Sequence, residues 1–241
     1  MDGKNTIAAR QVLSYQDGKF SPLEREVARE SVWHITLNGC PAGELTCSPW
    51  DLEEAALGHL FLRGIIGGGE RVLRISLQQQ AGHIALELGP WVPPEKWEGP
   101  PLSLTPEQVL DLSQQLEDRS HLFHRTGGVH SCALAREGRL LVYKEDVSRR
   151  GAVEKAAGAC LLQGVPMGES LLVFSGRVAG GIVDMAAAMG CGGIVARSAP
   201  TDLACRRARE EHMALAGFAR GDSFNLYTCP QRFPALGDRS L

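Results

Sequence analysis

Hydrophobic and polar positions in the second half of the chain alternate between the patterns of strands and helices. Three apolar runs have the length of buried strands, at 171–174, 193–196 and 214–218. Two stretches between them predict helices, one with apolar residues at helical spacing from Ile182 to Met189 and one at 202–212. Because strand–helix–strand crossovers are right-handed almost without exception, we expect three parallel strands with helices packed against the sheet.

The residues just upstream predict more elements of the same layered unit. A Thr-x-x-Gln capping signal begins a helix at 105–116, and another helix is expected at 149–162. Between these helices, strands at 129–135 and 140–144 form a predicted hairpin that turns at Glu137-Gly138. The alternation of strands and helices indicates an α/β core with helices packed against the sheet.

The first half of the chain predicts a smaller α+β part. Apolar and polar residues alternate from Ser31, and Asn38-Gly39 signals a tight turn before a return strand at 44–47. A helix follows, with Ser48 as its expected N-cap and Gly64 as its end. After the helix, strands are expected at 71–78 and 83–88.

A proline-rich connection from Pro90 to Pro101 marks the predicted boundary between the two parts. Before the first predicted strand, residues 1–20 are polar and show no period, which is typical of a mobile terminal segment. We therefore divide the chain into a mobile tail at 1–20, an N-terminal α+β part at 21–101 and an α/β cofactor-binding core at 102–241.

Composition and charge narrow the function classes. The chain has 241 residues, 44% of them hydrophobic, and a formal net charge of −3. This balance gives no electrostatic reason to expect a nucleic-acid partner or an anionic membrane surface. No apolar run has the length of a membrane span, and seven irregularly spaced cysteines fit a reducing compartment better than a disulfide framework. We therefore expect a cytoplasmic protein.

Five short segments share the chemistry of anion-binding loops, because each puts glycine, hydroxyl or arginine at the end of an apolar run. If the runs are parallel strands, three of these segments open at one edge of the sheet, where open α/β folds place their ligands. The segments are Thr126-Gly127-Gly128-Val129-His130, Glu145-Asp146-Val147-Ser148-Arg149, Ser175-Gly176-Arg177, Arg197-Ser198-Ala199-Pro200-Thr201 and Phe218-Ala219-Arg220-Gly221-Asp222-Ser223.

The physical basis is the unpaired backbone N–H groups at the start of a helix, which carry a partial positive charge. Arginines can fork two donors onto phosphate oxygens, and the candidates are Arg149, Arg177, Arg197 and Arg220. Asp146 and Asp222 are acceptors suited to a ribose or a guanine-type ring. The predicted ligand is a nucleotide or a nucleotide-bearing cofactor. The simpler alternatives are a helix cap at Ser198 or Thr201 and a plain turn at Gly127-Gly128.

The same residues resemble the formate dehydrogenase accessory proteins called FdhD, over a stretch from about Ser31 to Phe233. Several independent motifs in the same order carry this resemblance. They are Cys47-Ser48-Pro49-x-Asp51-Leu52-Glu53, Phe123-x-x-Thr126-Gly127-Gly128-x-His130, Glu145-Asp146-Val147, Ser175-Gly176-Arg177, Arg197-Ser198-Ala199-Pro200-Thr201 and Gly217-Phe218-Ala219-Arg220-Gly221.

The resemblance implies a cytidine-deaminase-like three-layer core and a homodimer. It implies a sulfur carrier that receives sulfur from a cysteine desulfurase and passes it to the bis-guanine-dinucleotide molybdenum cofactor of formate dehydrogenase. With the loop chemistry above, the expected residues for this cofactor or a guanine nucleotide are Thr126, Gly127, Gly128, Asp146, Arg149, Ser175, Gly176, Arg177, Ser198, Ala199, Phe218, Ala219, Arg220, Gly221, Asp222 and Ser223.

The chain departs from the family pattern in its sulfur chemistry. Family members carry a Cys-Gly-x-Cys-Gly loop whose cysteine holds the persulfide, whereas this chain has no cysteine between Cys47 and Cys132. Cys132 lies two residues after His130 and shares its strand face, so the two are the candidate catalytic thiol and base. No pair of cysteines has the spacing of a zinc site, so no metal is expected.

Three hypotheses remain open from the sequence. The first is a sulfurtransferase that uses a relocated cysteine to mature the molybdenum cofactor. The second is a non-catalytic chaperone that binds the molybdenum cofactor or a guanine nucleotide without transferring sulfur. The third is a nucleotide hydrolase or another unrelated enzyme.

Overall fold

The computed structural model describes residues 6–93 and 97–236, and the first half of the chain forms two small sheets. The first sheet is a hairpin of β1 (Ile7–Gln16) and β2 (Lys19–Ala28). The second contains β3 (Ser31–Leu37), β4 (Cys40–Cys47), β5 (Glu70–Gln78) and β6 (His83–Trp91), in the order β4-β3-β6-β5. Its apolar face packs on helix α1 (Leu52–Leu62). The predicted turn at Asn38-Gly39 and the four strands of this second sheet are confirmed.

The prediction of an irregular segment at 1–20 is wrong for residues 7–20, which form β1 and the turn into β2. Most side chains of this hairpin are exposed, including Leu13 and Phe20 at 70% each. Because neither strand has a buried face, the sequence shows no clear hydrophobic period, and the pairing of the two strands could not be predicted from it. The hairpin contacts the rest of the molecule near its base, where Arg125 forms an ion pair with Glu26 at 2.6 Å.

The predicted start of the first helix is also wrong. Helix α1 begins at Leu52, after Asp51 in a left-handed conformation with φ of 52°, and Ser48 is not its cap. Ser48 is buried and bonds to the second half of the chain: its N–H donates to Asp146 Oδ2 at 2.9 Å, and its Oγ accepts the Val147 N–H at 2.9 Å. The serine therefore joins the two halves of the chain.

The second half of the chain is built on a six-stranded sheet. Its strands are β7 (His130–Arg136), β8 (Arg139–Asp146), β9 (Leu171–Phe174), β10 (Gly193–Ala196), β11 (Ala214–Arg220) and β12 (Ser223–Thr228), in the order β12-β11-β10-β9-β7-β8. Strands β9, β10 and β11 are mutually parallel, as predicted, and the other neighbours pair antiparallel. The sequence pattern missed β12.

Helices cover both faces of this sheet. Helix α2 (Pro106–Arg119) packs on one face, with the predicted Thr105 capping box, and the short helix α3 (His121–Thr126) leads from it into β7. The other face carries α4 (Arg149–Gln163), α5 (Gly180–Ala188) and α6 (Asp202–Glu210). Residues of β7 alternate between the two cores, Leu134 facing α4 and Ala133 facing α2. The three-layer α/β prediction is confirmed.

The N-terminal part docks onto the core by a backbone contact between α1 and α4. A Cβ atom built on Gly58 would lie 1.8 Å from the carbonyl oxygen of Glu154, and one on Gly158 would lie 1.9 Å from that of Glu54. Only glycine permits so close an approach of two helix backbones. The division at residue 101 stays a prediction, and residues 94–96 of the connection lie outside the described part of the chain.

Across residues 6–93 and 97–236, none of the helices combines the length and the apolar character that a membrane crossing requires.

Candidate functional site

The five predicted anion-binding segments meet at one edge of the six-stranded sheet. Strands β9, β10 and β11 are parallel and end there. Strand β7 begins there and β8 ends there, since His130 pairs with Asp146 and Cys132 pairs with Phe174 across antiparallel ladders. We call this end of the sheet the carboxyl edge. The strand topology thus brings the segments to the same edge, although the first and the last are nearly a hundred residues apart in sequence.

Two of the segments are bonded to each other at the carboxyl edge. The Val178 N–H donates to Ala199 O at 3.0 Å, and the Thr201 N–H donates to Val178 O at 2.9 Å. Within the described part of the chain, four backbone N–H groups of these loops have no intramolecular acceptor, those of Gly176, Arg177, Ser198 and Ala199. Clustered free N–H groups beside helix starts are the backbone chemistry of an anion site.

Ser175 and Thr201 have internal roles in these loops. Ser175 Oγ accepts the Ser131 N–H at 2.8 Å, and the Ser175 N–H donates to Ser131 O at 3.0 Å, which fixes the loop to β7. Thr201 Oγ1 accepts the Ala204 N–H at 3.2 Å as the N-cap of α6. The helix-cap alternative therefore describes Thr201, whereas Ser198 is not the cap.

Two arginines are free to act on a ligand. The side chain of Arg149 lies along the loop glycine, because a Cβ built on Gly176 would be 3.0 Å from Arg149 Cγ and Cδ. Arg177 is exposed one residue further on. Among the described residues, no carboxylate lies within ion-pair distance of either guanidinium. Their charge is therefore available to a phosphate.

His130 lies at the start of β7, close to both arginines. Its pKa is lowered, chiefly by partial burial and then by the positive charge of Arg149, with a further contribution from Arg177; Asp146 opposes the shift. The ring centroid is 6.5 Å from that of Phe174. At neutral pH the imidazole is therefore uncharged and keeps one ring nitrogen as donor and one as acceptor.

The other two candidate arginines are partly used by the fold. Arg197 Nε pairs with Glu117 Oε2 at 3.0 Å, and its Nη1 donates to Ser113 O at 3.2 Å. Arg220 is exposed and donates from Nε to the carbonyl of Arg197. Arg197 thus joins the carboxyl edge to α2 and is used by the fold. Arg220 remains a candidate ligand residue.

The end of β11 carries the last predicted segment. Phe218 is 45% exposed, and its N–H donates to Ser198 O at 3.2 Å. Ala219 is buried, with its carbonyl accepting a bond from Ser113 Oγ, so its side chain is not exposed to a ligand. Exposed residues of the turn into β12 complete the segment: Gly221, Asp222 and Ser223.

The Thr126-Gly127-Gly128 segment has the geometry of a helix end. Gly127 is the C-cap of α3 with φ of 64°, and its N–H donates to Phe123 O at 2.7 Å. Thr126 Oγ1 donates to Leu122 O at 2.7 Å and accepts the Gly128 N–H at 3.1 Å. These groups already have partners, so the geometry favours the turn alternative for this segment.

Asp146 is a structural residue in this geometry, contrary to its predicted role as a ligand acceptor. It is fully buried, its Oδ1 accepts the Ser148 N–H at 2.8 Å, and its Oδ2 pairs with Lys155 Nζ at 2.7 Å. Lys155 is equally buried and also lies 4.5 Å from the centre of the Trp50 ring. The sequence pattern missed Lys155, whose only signal was a lysine among the small and apolar residues of the helix that follow Arg150.

The seven cysteines include no exposed thiol at the carboxyl edge. Cys132 is 0% exposed, and burial raises its pKa well above the ordinary range, with added repulsion from Cys191 and Cys160. Burial likewise raises the pKa of Cys47 to about 12. The predicted pair of Cys132 and His130 therefore lacks an accessible, ionisable thiol, because Cys132 on β7 is buried in the core between the sheet and α4.

The remaining thiols do not replace it. Cys229 is also buried, Cys205 is half-buried on α6, and Cys40 is exposed in the hairpin of β3 and β4, in the N-terminal sheet. Among residues 6–93 and 97–236, no group of three His, Cys, Asp or Glu side chains is arranged to hold a metal ion.

Comparisons with known proteins place this architecture among accessory proteins. A family model described as the FdhD/NarQ family matches residues 90–234. Sulfur carrier protein FdhD from Bacillus licheniformis is 31% identical, with 95% of this chain and 98% of that protein covered. The FdhD protein from Bacillus subtilis is 30% identical, with 93% and 97% covered.

A solved structure gives the same relationship in three dimensions. The crystal structure of a putative formate dehydrogenase accessory protein from Desulfotalea psychrophila superposes with a TM-score of 0.83 at 28% identity. The alignment covers 95% of this chain and 99% of that one. The similarity therefore includes the N-terminal part as well as the core.

Proposed function

The chain belongs to the FdhD/NarQ family, and from this premise we propose that it serves formate dehydrogenase maturation by binding a guanine-dinucleotide molybdenum cofactor at its carboxyl edge. Its relatives are named sulfur carrier proteins, and a related structure is named a formate dehydrogenase accessory protein. The proposed partners are formate dehydrogenase and a cysteine desulfurase, in the cytoplasm, with the protein acting as a homodimer.

The observation that carries the proposal is the convergence of free donors at one place. Four N–H groups without an intramolecular acceptor among the described residues lie in two bonded loops, that of Gly176 on a buried residue and the other three on partly or fully exposed ones, and two arginines without acidic partners lie beside them. Such a donor set fits phosphate oxygens, which accept from backbone N–H groups and from forked guanidinium donors. Asp222, exposed at the same edge, offers a carboxylate of the kind that accepts from a guanine ring. The residues present therefore fit the phosphates and base of such a cofactor.

Sulfur transfer is the second half of the family role. In such a transfer, a carrier thiolate attacks the outer sulfur of a desulfurase persulfide, and the desulfurase leaves as a thiolate. The buried thiols with raised pKa are poor candidates for this attack, and the exposed Cys40 is in the N-terminal sheet. This observation favours a second candidate function, a cofactor-binding chaperone that does not carry sulfur itself.

A binding experiment tests the shared part of both candidates. Guanosine diphosphate should raise the melting temperature of the full-length protein, and Arg177→Ala should reduce that shift because one charged donor is lost. Arg206→Ala is the matched control, since Arg206 is exposed and already pairs with Asp202 at 3.1 Å. The binding proposal fails if guanosine diphosphate leaves the melting temperature of the unaltered protein unchanged. Release of phosphate from guanosine di- or triphosphate would support a hydrolase instead.

A second experiment separates the two candidates. The protein is incubated with a cysteine desulfurase and cysteine, and each cysteine is then examined for an added sulfur atom by mass spectrometry. A persulfide on one cysteine, lost in its serine variant, supports the sulfur carrier. Absence of any persulfide, together with restored formate dehydrogenase activity in a deletion strain, supports the chaperone.

A further inference from the structure

The hairpin of β1 and β2, which we call the hairpin arm, is anchored at its base and exposed along most of its length. At the base, Ala8 is buried and Glu26 pairs with Arg125 of α3. From Ala8 the strand β1 continues to Gln16 beside the turn, a distance of roughly 27 Å for extended backbone. A two-stranded hairpin is only marginally stable by itself in water, so an arm of this length is expected to pair or pack with a partner.

One face of the arm carries four apolar side chains near its tip. Leu13 is opposite Pro22 and Tyr15 is opposite Phe20 in the strand register, and directly opposite residues share a face. The ring centroids of Tyr15 and Phe20 are 5.0 Å apart, and Tyr15 is 64% exposed. A contiguous exposed apolar patch of this kind marks an interaction surface.

The two outer edges of the arm differ in their capacity to bond another strand. Asp17 and Gly18 both have positive φ, as a two-residue type I′ turn requires, so the flanking Gln16 and Lys19 form a hydrogen-bonded pair. Every second residue counted from that pair directs its backbone groups outward. On β2 these residues include Pro22, which has no N–H to offer. On β1 they all carry an N–H group: Ala9, Gln11, Leu13 and Tyr15.

The charges of the arm show the same difference between the strands. Natural edge strands avoid unwanted pairing with charged side chains and proline. Strand β2 has both, with four charged residues of 10, whereas Arg10 is the one charged residue of β1. Across residues 6–93 and 97–236, β1 pairs with β2 alone. The outer edge of β1 is therefore an open and unprotected template for another strand.

The outward groups of β1 are placed symmetrically, which favours a second copy of the same strand as the partner. They are centred on Val12, so a two-fold axis at Val12 puts Gln11 of one copy opposite Leu13 of the other. Arg10 then lies opposite Ser14 of the second copy, and no like charges meet across the two β1 strands. A two-fold interface uses the same patch on both copies, and the resulting four strands exceed the three that a stable sheet needs.

The same register brings the apolar tip of each arm to the base of the other. Tyr15 would lie opposite Ala9 of the second copy, and Ala9 is in turn opposite Glu26, the residue that pairs with α3. Helix α3 carries Phe123, which is 44% exposed. An exposed apolar side chain is thus present on the element that the apolar tip reaches.

We propose that the hairpin arm is the self-association surface of this protein, with β1 pairing antiparallel to β1 of a second copy in a continuous four-stranded sheet. The inference rests on the homodimer of the proposed function and names the surface that forms it.

A pair of proline substitutions tests the edge assignment. Gln11 Nε2 donates to Glu24 Oε2 at 3.0 Å, so Gln11→Pro and Glu24→Pro lose the same side-chain bond, and they differ in the edge that loses an outward N–H. The dimer dissociation constant of the full-length protein is measured by analytical ultracentrifugation. Gln11→Pro should raise it by about tenfold or more, because two intermolecular hydrogen bonds are lost. The control Glu24→Pro should change it by less than about twofold, since no bond between the copies is removed.

A cross-linking experiment tests the position of the two-fold axis. Val12→Cys and its cross-strand neighbour Leu23→Cys are compared in a Cys40→Ser background, because Cys40 is exposed. Residues opposite each other at such an axis have Cα atoms about 4.5 Å apart, within reach of a disulfide. Diamide, which oxidises two thiols to a disulfide, should convert Val12→Cys to a covalent dimer on a non-reducing gel. Leu23→Cys, which lies one strand further from the axis, should stay uncross-linked.

The remaining outcomes overturn the proposal in distinguishable ways. If the unaltered protein is monomeric at every concentration, both the arm and the homodimer of the proposed function fail, whereas the cofactor site is tested separately by guanosine diphosphate. If the protein is a dimer that Gln11→Pro leaves unchanged, or that both prolines weaken equally, the β1 edge alone is overturned. Cross-linking of Leu23→Cys in place of Val12→Cys would likewise overturn the assignment to β1.

Discussion

Positively charged side chains have acidic partners at the junction of the two halves, whereas two arginines at the carboxyl edge have none among the described residues. At the junction the two described lysines have acidic partners, in the pairs Lys155–Asp146 at 2.7 Å, Lys144–Glu54 at 2.9 Å and Lys144–Asp51 at 3.1 Å, and His59 Nδ1 lies 3.2 Å from Glu154 Oε1. At the edge, Arg149 and Arg177 have no such partner among the described residues. The paired charges at the junction stabilise the contact between the two halves. The unpaired arginines at the carboxyl edge are available to a ligand.

This difference separates charged residues that stabilise the fold from charged residues that are available for binding. A buried charge is tolerated only with a partner, because the cost of removing it from water is large. An arginine left without a carboxylate at a solvent-accessible edge is not needed for stability. Changes at the junction should therefore act on folding, and changes at the edge should act on binding.

The largest effect is expected from removal of one buried partner at the junction. Lys155→Met leaves Asp146 buried without its cation and should lower the free energy of unfolding by about 3–5 kcal/mol, measured by urea denaturation. Adding Asp146→Asn removes the stranded charge and should recover part of the loss. Arg177→Ala should stay within about 0.5 kcal/mol of the unaltered protein. Equal losses in Lys155→Met and Arg177→Ala would abolish the distinction between the two regions.

The helix crossing of the junction gives the next effect. Gly58→Ala forces a methyl group against the carbonyl of Glu154 and should lower the free energy of unfolding by about 1–3 kcal/mol. Gly181→Ala is the control, because a Cβ there would lie 3.4 Å from the flexible Arg150 Nη1. Alanine favours a helix over glycine, so the control should be neutral or stabilising. Thermal unfolding of both variants measures the contrast, and destabilisation by the control alone would contradict it.

At the carboxyl edge, the geometry of a donor should matter more than its charge. Arg149→Ala should weaken pyrophosphate binding by about tenfold, as loss of a charged hydrogen bond predicts, while leaving stability unchanged. Arg149→Lys keeps the charge without the forked geometry and should recover only part of the affinity. Calorimetry at low and high salt measures both, and full recovery by lysine would show that charge alone acts.

The smallest effect concerns the protonation of His130. Because its folded pKa is lowered from 6.5, the unfolded chain binds more protons, and stability should fall as pH decreases through the unfolded pKa near 6.5. A bound phosphate offsets the positive charge of Arg149 and should raise the pKa. Proton NMR titration with and without pyrophosphate measures the direction, and His130→Gln should remove this part of the pH dependence. A pKa that pyrophosphate lowers would place the anion elsewhere.

Local patterns predicted the parts of the fold that local sequence determines. The parallel strands, the Asn38-Gly39 turn and the Thr105 cap follow from period, turn chemistry and capping within a few residues. The strands of the first hairpin were missed because they bury almost nothing. The convergence of loops at one edge was predictable from strand direction, since all parallel strands end at the same side of a sheet.

Individual roles at the site were less predictable, because they depend on distant partners. Asp146 has the residue type of a ligand acceptor, but Ser48 occupies one of its oxygens from the other half of the chain. Cys132 has the spacing of a thiol and base pair with His130, but neighbouring strands and helices bury it. Phe218 has a left-handed backbone with φ of 56°, which its residue type did not indicate.

The crossing of α1 and α4 also governs the order in which the polypeptide can be completed on the ribosome. The sheet of β3 to β6 and its helix form early in synthesis, but the surface that receives Gly58 exists only after Gly158 has been translated. At translation speeds of about 5–20 residues per second, the nascent N-terminal half waits several seconds with that helix face uncovered. Docking of the two halves is therefore the last step of folding that synthesis permits, and one pair of glycines determines it.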